Sequence, residues 1–599
     1  MATLYPSQLV GRRVHWLLTV EWAGEVLHVA DDEVNVEMAD GTTLHFSAGL
    51  GDIEVSEGID LFGDSVGQLS VPLEFIPPPG LSVAGLVARG EDLSAARGEL
   101  ARWVEGSTWE QRRVVLIGGL TDPEYGDDGE AVSTSLEERL ATDATLTSLP
   151  SSSVTASTWA FTASLNDESL DVPYPIIIGR PGDERDGQFV TGSPAVWVDH
   201  RAVDEIDTSG DNLKRNVVAV IAGHHVSAAR VYLNNDSYVG GIRCYVRNGW
   251  DALGQEVALV GWYLSADDAN PDAWFYTGET FSALNNYVLT YTPDPEIGSG
   301  VTTCLGEVDS PAYTDPTFNG VEQLPLYVIW RDEKDGGGGL VRNGVTIQAA
   351  GDVLEYLLGL TSIAVDWGRF AAAKPLLNQY QLDGCITDRV EVWALLRDEI
   401  LPLLPVSLVS GPAGIYPVVW RYQASAADAV MVLDADADPG VSRSARVRYD
   451  SQDRINRFSL AYQYSYRTDT HMRTLTYGSE ADAAIDPGVT VHPLCSWSQT
   501  RTGRTTSRVA QTAWIYDPST AYAVLEWWAA AYALPTRTVT YLVPEVEFAA
   551  IERGMVVTLT DAGIACSGAV CLVREVVTDG SGLLSVTLHL IDNPLSRSS

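Results

Sequence analysis

Phe548–Asp561 reads FAAIERGMVVTLTD, and the reading of this stretch decides how the end of the chain folds. Immediately before it, EWWAAAYALPTRTVTYLVP (Glu526–Pro544) sets an aromatic-rich helix against a run of alternating β-formers. Gly554 permits a turn into MVVTLTD. The period-two alternation that follows points Val556 and Thr558 to one face, Val557 and Leu559 to the other. The stretch therefore reads as the closing hairpin of a terminal β-domain.

Working outward, the 599 residues exceed what a single core holds, so several domains are expected. With 45% hydrophobic residues, 17 Trp and 25 Tyr, the chain can bury real cores. Frequent Gly (53), scarce Met (5) and abundant Val, Thr, Trp and Tyr favour strands over helices. The fold class that follows is mixed, β-rich α+β, with several antiparallel barrel- or sandwich-like domains and a few helices.

Eighty acidic against 38 basic residues give a net charge of −42. Such a chain is a poor wrapper of nucleic acid, because counterion release needs Lys and Arg against phosphate. Two readings of the acidity stand: solubility in a saline setting, or a surface that repels DNA and lets a duplex slide past. The start, MATLYPSQLVGRRVHWLLTVEW, reads as lacking a signal peptide, since its apolar run is short and Glu21 closes it. No stretch approaches the roughly 20 apolar residues of a membrane span. The cysteines form no CxxC; Cys566 and Cys571 are close enough to bridge across a turn, and are read as buried free thiols.

Along the chain, residues 1–148 read as an N-terminal β-domain with one helix. PPPG (Pro77–Gly80) ends its first sheet, and EDLSAARGELARWVEG puts Leu93, Ala96, Leu100, Trp103 and Val104 on one helical face. Residues 149–200 are a connecting strand segment, in which DVPYPIIIGRPGD (Asp171–Asp183) pins a short buried strand at both ends. Residues 201–345 are a β-rich, Trp- and Tyr-containing domain and a candidate insertion. Residues 346–430 form a helical and hairpin segment, with Asp352 and Asp388 as expected N-caps. Residues 431–515 are a β-domain whose Tyr462, Tyr464 and Tyr466 share a strand face. Residues 516–599 combine a capped helix, with Ala521, Leu525, Trp528 and Tyr532 on one side, and the C-terminal β-domain.

No catalytic residue, cofactor site or metal ligand is assigned. GDSVG (Gly63–Gly67) fits the nucleophile-elbow pattern, but strand and proline follow Ser65 where a helix must leave it. DADADPG (Asp434–Gly440) spaces three carboxylates like a calcium loop, yet Pro439 and Ala445 occupy the positions that demand Gly and an acid. His224 and His225 are adjacent, so a strand sends them to opposite faces.

Three stretches, taken in order, resemble the baseplate or tail-tip hub proteins of tailed bacteriophages and gene transfer agents. They are RRVVLIGGLTDPEYGDDGEAVSTSLEE (Arg112–Glu138), with its DPEYG turn between strands; DVPYPIIIGRPGD; and the C-terminal half ending in TRTVTYLVPEVEFAAIERGMVVTLTD. The family pattern places Asp after the glycine, where this chain has Met555. The resemblance implies tail-tube-like hub domains and a structural, non-enzymatic virion protein of the siphovirus tail tip, made in the host cytoplasm. It further implies a homotrimer whose β-domains seal a ring. The partners implied are a distal tail protein and other tube rings, the tape-measure protein, and a tail fibre or spike. Genomic DNA passes through without specific binding, and no membrane belongs to the mature particle. Two other readings stay open on the residues alone: an extracellular polysaccharide-active enzyme, and a carbohydrate-binding adhesion protein.

Overall fold

The computed structural model describes residues 12–22, 24–58, 70–77, 90, 96–125, 131–137, 148–155, 170–185, 188–199, 217–228, 230–233, 242–250, 253, 255–264, 301–303, 326–330, 338–342, 345–450 and 454–591. The chain is a mixed, β-rich α+β protein. Strands and helices together supply its buried residues.

The N-terminal sheet holds β1 (Val14–Trp22), β2 (Glu25–Ala30), β3 (Val34–Glu37), β4 (Thr43–Ala48), β6 (Ser70–Phe75), β7 (Arg97–Val104), β8 (Arg113–Tyr125) and β9 (Val132–Glu137), in the order β3-β4-β2-β1-β7-β8-β9-β6. Pairing is antiparallel except between β2 and β4. The turn after Met38 is the expected one, with Gly41 at φ +82°. Two expectations fail here. The sheet does not end at Pro77, because β7, β8 and β9 belong to it. The helix expected around Leu100–Val104 is instead β7, seated between β1 and β8. Both faces of β7 are covered: Leu100 packs with Trp16 and Val20, Trp103 with Phe46 and Val36. A strand buried on two sides loses its alternation, and its apolar spacing then mimics a helix. The DPEYG segment likewise lies within β8 as far as Tyr125, and Leu93 lies outside the described residues.

The Ile176–Ile178 strand (β10) is buried throughout and pairs antiparallel with Gly384–Ile386 (β11). Gly384 is obligatory there, since a Cβ would collide with the Trp514 ring. Beyond it, strands within 196–303 form a five-stranded sheet.

Helices α1 (Ala350–Gly359), α2 (Trp367–Leu377) and α3 (Val392–Leu395) bring in the largest core, shared with Ile178, Phe458 and Trp514. α3 runs on through a π-helical turn, Leu396–Ile400, and a 3-10 turn. The expected caps are corrected. Asp352 lies inside α1, where it pairs with Lys374 at 2.6 Å, and Asp388 precedes α3 by several residues. The acid that does cap is Asp366, accepting from the Arg369 N–H at 3.0 Å.

Candidate assembly surface

The C-terminal sheet is built from β12 (Met431–Asp434), β13 (Ser442–Arg443), β14 (Arg448–Asp450), β15 (Thr536–Pro544), β16 (Val556–Asp561), β17 (Cys566–Thr578) and β18 (Leu583–Leu590). Strand order is β12-β16-β17-β18-β15-β13, with β14 also on β15, and β5 (Val55–Gly58) joins β17. Among the helices around it, α4 (Glu480–Ile485) and α5 (Pro493–Thr502) precede α6 (Pro518–Tyr532). α6 starts where Asp517 accepts from the Thr520 N–H, and it buries Ala521, Leu525, Trp528 and Tyr532 as expected. A short helix, α7 (Glu545–Phe548), then leads to Gly554.

Gly554 sits at φ +80°, and its N–H donates to the Val573 carbonyl at 2.7 Å. A side chain there would strike Val418. Past this turn the alternation is the expected one. Val557 and Leu559 join Leu433, Tyr541 and Val586 in the sheet's inner core. Val556 packs against Val409, Tyr416 and Trp420, so the second face is covered by another hairpin rather than by solvent. Asp561 is structural. Its carboxylate accepts from the Tyr541 hydroxyl at 2.6 Å and the Gly563 N–H at 2.8 Å. Burial and that carboxylate together push the Tyr541 hydroxyl's pKa well above its ordinary value.

The sheet curls into a half-barrel, so that β13 and β15 approach β16 and the loop 435–441 joins β12 directly to β13. At one end β12 pairs only with β16, leaving Val430 and Val432 42% and 61% exposed. Such an uncovered apolar edge is what soluble proteins usually blunt. The acidic loop continues directly from it. Asp434 accepts from the N–H groups of Asp436 and Ala437, Asp436 accepts from Ala562, and Asp438 accepts from Gly440. The carboxylates are thus engaged in folding their own loop. No group of three or more metal-ligating side chains comes together among the described residues. Beyond that loop, β13, β14 and the residues between them carry Arg446, Arg448 and a Tyr449 that is 66% exposed. Arg443, on the same edge, reaches Asp561 at 3.5 Å. One edge is apolar and acidic, the other aromatic and basic.

The other residues singled out in the sequence have structural surroundings. His224 accepts the Ile177 N–H on Nε2 and donates from Nδ1 to the His225 carbonyl, both at 2.9 Å. Burial holds its pKa down at about 4. Cys566 and Cys571 are buried free thiols, and burial pushes Cys571 up to about 12. Tyr462 is buried, while Tyr464 and Tyr466 meet edge to face at 5.0 Å. Ser65 lies outside the described residues. A cluster the sequence reading missed joins Glu526 to Tyr477 at 2.8 Å and His492 at 3.2 Å. Its members come from three elements, so no local spacing announces it.

No family model and no curated protein sequence matches the chain. Among solved structures, it is similar to the tail protein from Neisseria meningitidis MC58, with a TM-score of 0.34 and 9% identity over 96% of each chain. It is also similar to the prophage tail protein gp18 from Listeria monocytogenes EGD-e, with a TM-score of 0.28 and 6% identity, covering 93% of this chain and 94% of that one.

Proposed function

We propose that the chain is a structural protein of a phage-type tail: a tip or baseplate hub whose copies join edge to edge into a ring. The observation that carries this is the C-terminal half-barrel, which leaves Val430 and Val432 exposed at β12 and Tyr449 exposed on β14 beside Arg446 and Arg448. A contact between two different patches of one molecule is heterologous, and repeats until it closes on itself. Pairing the apolar, acidic β12 edge of one copy with the basic β13–β14 edge of the next would satisfy both. The order of the hub-like stretches in the sequence supports the same reading.

In this reading three copies close the ring. The distal tail protein and other tube rings sit on one side, a fibre or spike on the other, and the tape-measure protein and genome pass through the middle. The acidity keeps the passing duplex from being gripped. The protein works by shape, without catalysis.

Mass in solution, measured over a range of concentrations, tests the proposal, together with negative-stain images. Threefold rings are the expected result. A chain that stays monomeric at every concentration and hydrolyses polysaccharide would overturn it.

A further inference from the structure

The strands Arg457–Ser465, Thr470–Gly478, Val489–Val491 and Ser507–Gln511 form a separate four-stranded sheet. Ser507–Gln511 is one of its edges and pairs parallel with Arg457–Ser465. The inner face of the sheet is anchored, since Phe458 and Leu460 share a core with Trp528 of α6. Arg508 folds inward as well, lying over the Trp528 ring at 4.3 Å. Hydrogen bonding fixes which way the edge backbone faces. The Arg457 N–H donates to the Thr506 carbonyl at 3.1 Å, and the Thr512 N–H to the Ala461 carbonyl at 3.0 Å. In a parallel ladder that phase turns the N–H and C=O groups of Arg508 and Ala510 toward the sheet, and those of Ser507, Val509 and Gln511 away from it. Those outward groups have no partner among the described residues.

Edges of this kind are ordinarily blunted by proline, lysine, a bulge or a covering element. Here the pairing runs without a register shift, and no Pro or Lys occurs between Arg501 and Gln511. Nothing covers the strand either: residues 503–507 are exposed without a break, as is Gln511, and Val509 is 78% exposed. Outward donors and acceptors repeating every second residue fit an extended polypeptide that adds to the sheet. Charge says which kind. Residues 487–516 contain no Asp or Glu, in a chain that has 80. Arg501 and Arg504, on the approach to the edge, are exposed and in no ion pair among the described residues. A second copy of the same edge would set these arginines near their counterparts, where like charges repel across a strand pair, whereas an acidic strand would satisfy them.

We propose that the Ser507–Gln511 edge takes up an extended, acidic segment of a different protein as an added strand. The backbone of Ser507, Val509 and Gln511 supplies the ladder, the Val509 side chain the apolar contact, and Arg501 and Arg504 the preference for acid. This contact lies apart from the half-barrel and does not depend on the ring.

The probe is a short fluorescent peptide in which valine alternates with glutamate, titrated on the full chain and followed by anisotropy. Saturable binding is expected, and a lysine-for-glutamate peptide should bind about tenfold more weakly or worse. Val509→Pro removes the central outward N–H without touching a bond to the neighbouring strand, and should also weaken binding about tenfold or more. Arg501→Glu with Arg504→Glu should weaken it at low salt and less so at high salt. Unchanged thermal melts exclude misfolding as the cause. Should the proline variant melt early, the arginine variant and the lysine peptide carry the test. No saturable binding, binding indifferent to the substitutions, or equal binding of the two peptides would overturn the proposal. Self-association abolished by Val509→Pro would assign the edge to a second copy and end the partner reading. A chain that stays monomeric yet binds the acidic peptide at this edge would support the proposal and end the ring.

Discussion

Arg102 and Glu545 are 443 residues apart and share a fully buried, two-pronged ion pair, Nε to Oε1 at 2.9 Å and Nη2 to Oε2 at 2.6 Å. The guanidinium also lies over the Trp16 ring at 4.4 Å. The pair ties the N-terminal sheet to α7, beside an apolar contact of Val14 and Val104 with Val546 and Ala549. Removing one partner leaves a buried charge uncompensated, so Glu545→Ala should cost about 3–5 kcal/mol. The double replacement Arg102→Met, Glu545→Leu should recover most of that loss. Urea unfolding of Arg102→Met, of Glu545→Leu and of the double variant measures the coupling; additive effects would show that the pair does not hold this junction.

Gly554→Ala meets two separate penalties. The left-handed backbone costs about 1 kcal/mol for a residue with a Cβ, and crowding Val418 adds roughly 1–3 kcal/mol. Adding Val418→Ala should relieve the crowding and leave the backbone cost. Melting temperatures of both chains separate the terms, and a Gly554→Ala chain as stable as the parent would contradict the geometry.

His224 gives the fold a weakness toward acid. Its folded pKa of about 4 lies below the ordinary 6.5, so the unfolded chain binds more protons between those values. Stability from this group is complete above about pH 6.5 and is lost as pH falls toward 4, on the order of 3 kcal/mol in all. His589, buried and facing the charges of Arg574 and Arg537, acts with the same sign over the same window. His224→Gln keeps an acceptor for the Ile177 N–H and removes the titration. Its urea midpoint should therefore fall less steeply than the parent's from pH 6.5 to 4; identical slopes would refute the assignment.

Val432→Lys places a charge on the open β12 edge, the device by which sheets are kept from pairing. The variant should fold normally and fail to assemble. Arg446→Glu with Arg448→Glu should weaken assembly about tenfold at low salt, with a smaller effect at high salt, because exposed charges are screened. Sedimentation of each variant checks this; salt-independent assembly would remove the electrostatic part of the argument.

How much of this was legible in the sequence depended on whether the residue types still marked one face of a strand after folding covered it. MVVTLTD alternates cleanly, and its register was readable although both of its faces turn out to be covered. GELARWV alternates no longer, because Leu100 and Trp103 are claimed by cores on opposite sides and Arg102 by Glu545. Its helical look comes from that double burial. α6 was readable because Asp517 and Pro518 announce its start and its buried face repeats at helical spacing. The acidic and basic stretches were spelled out one after the other in DADADPG and SRSARVRYD, but that they join the two terminal strands of one curled sheet appears only from the strand order. The Glu526, His492 and Tyr477 cluster was hidden for the same reason.

The Ile176–Ile178 strand has one more consequence. His224 receives its backbone N–H, Gly339 donates to the Gly179 carbonyl, and a side chain at position 339 would run into Ile177. Residues from the middle of the chain thus wall in a strand whose sheet partner is Gly384–Ile386. A cut-and-paste of 201–345, of the kind by which modular proteins trade parts, would strip His224 and Gly339 from that strand. Recombination that respects the fold must leave this stretch with its host, or bring the triple-isoleucine strand along with it.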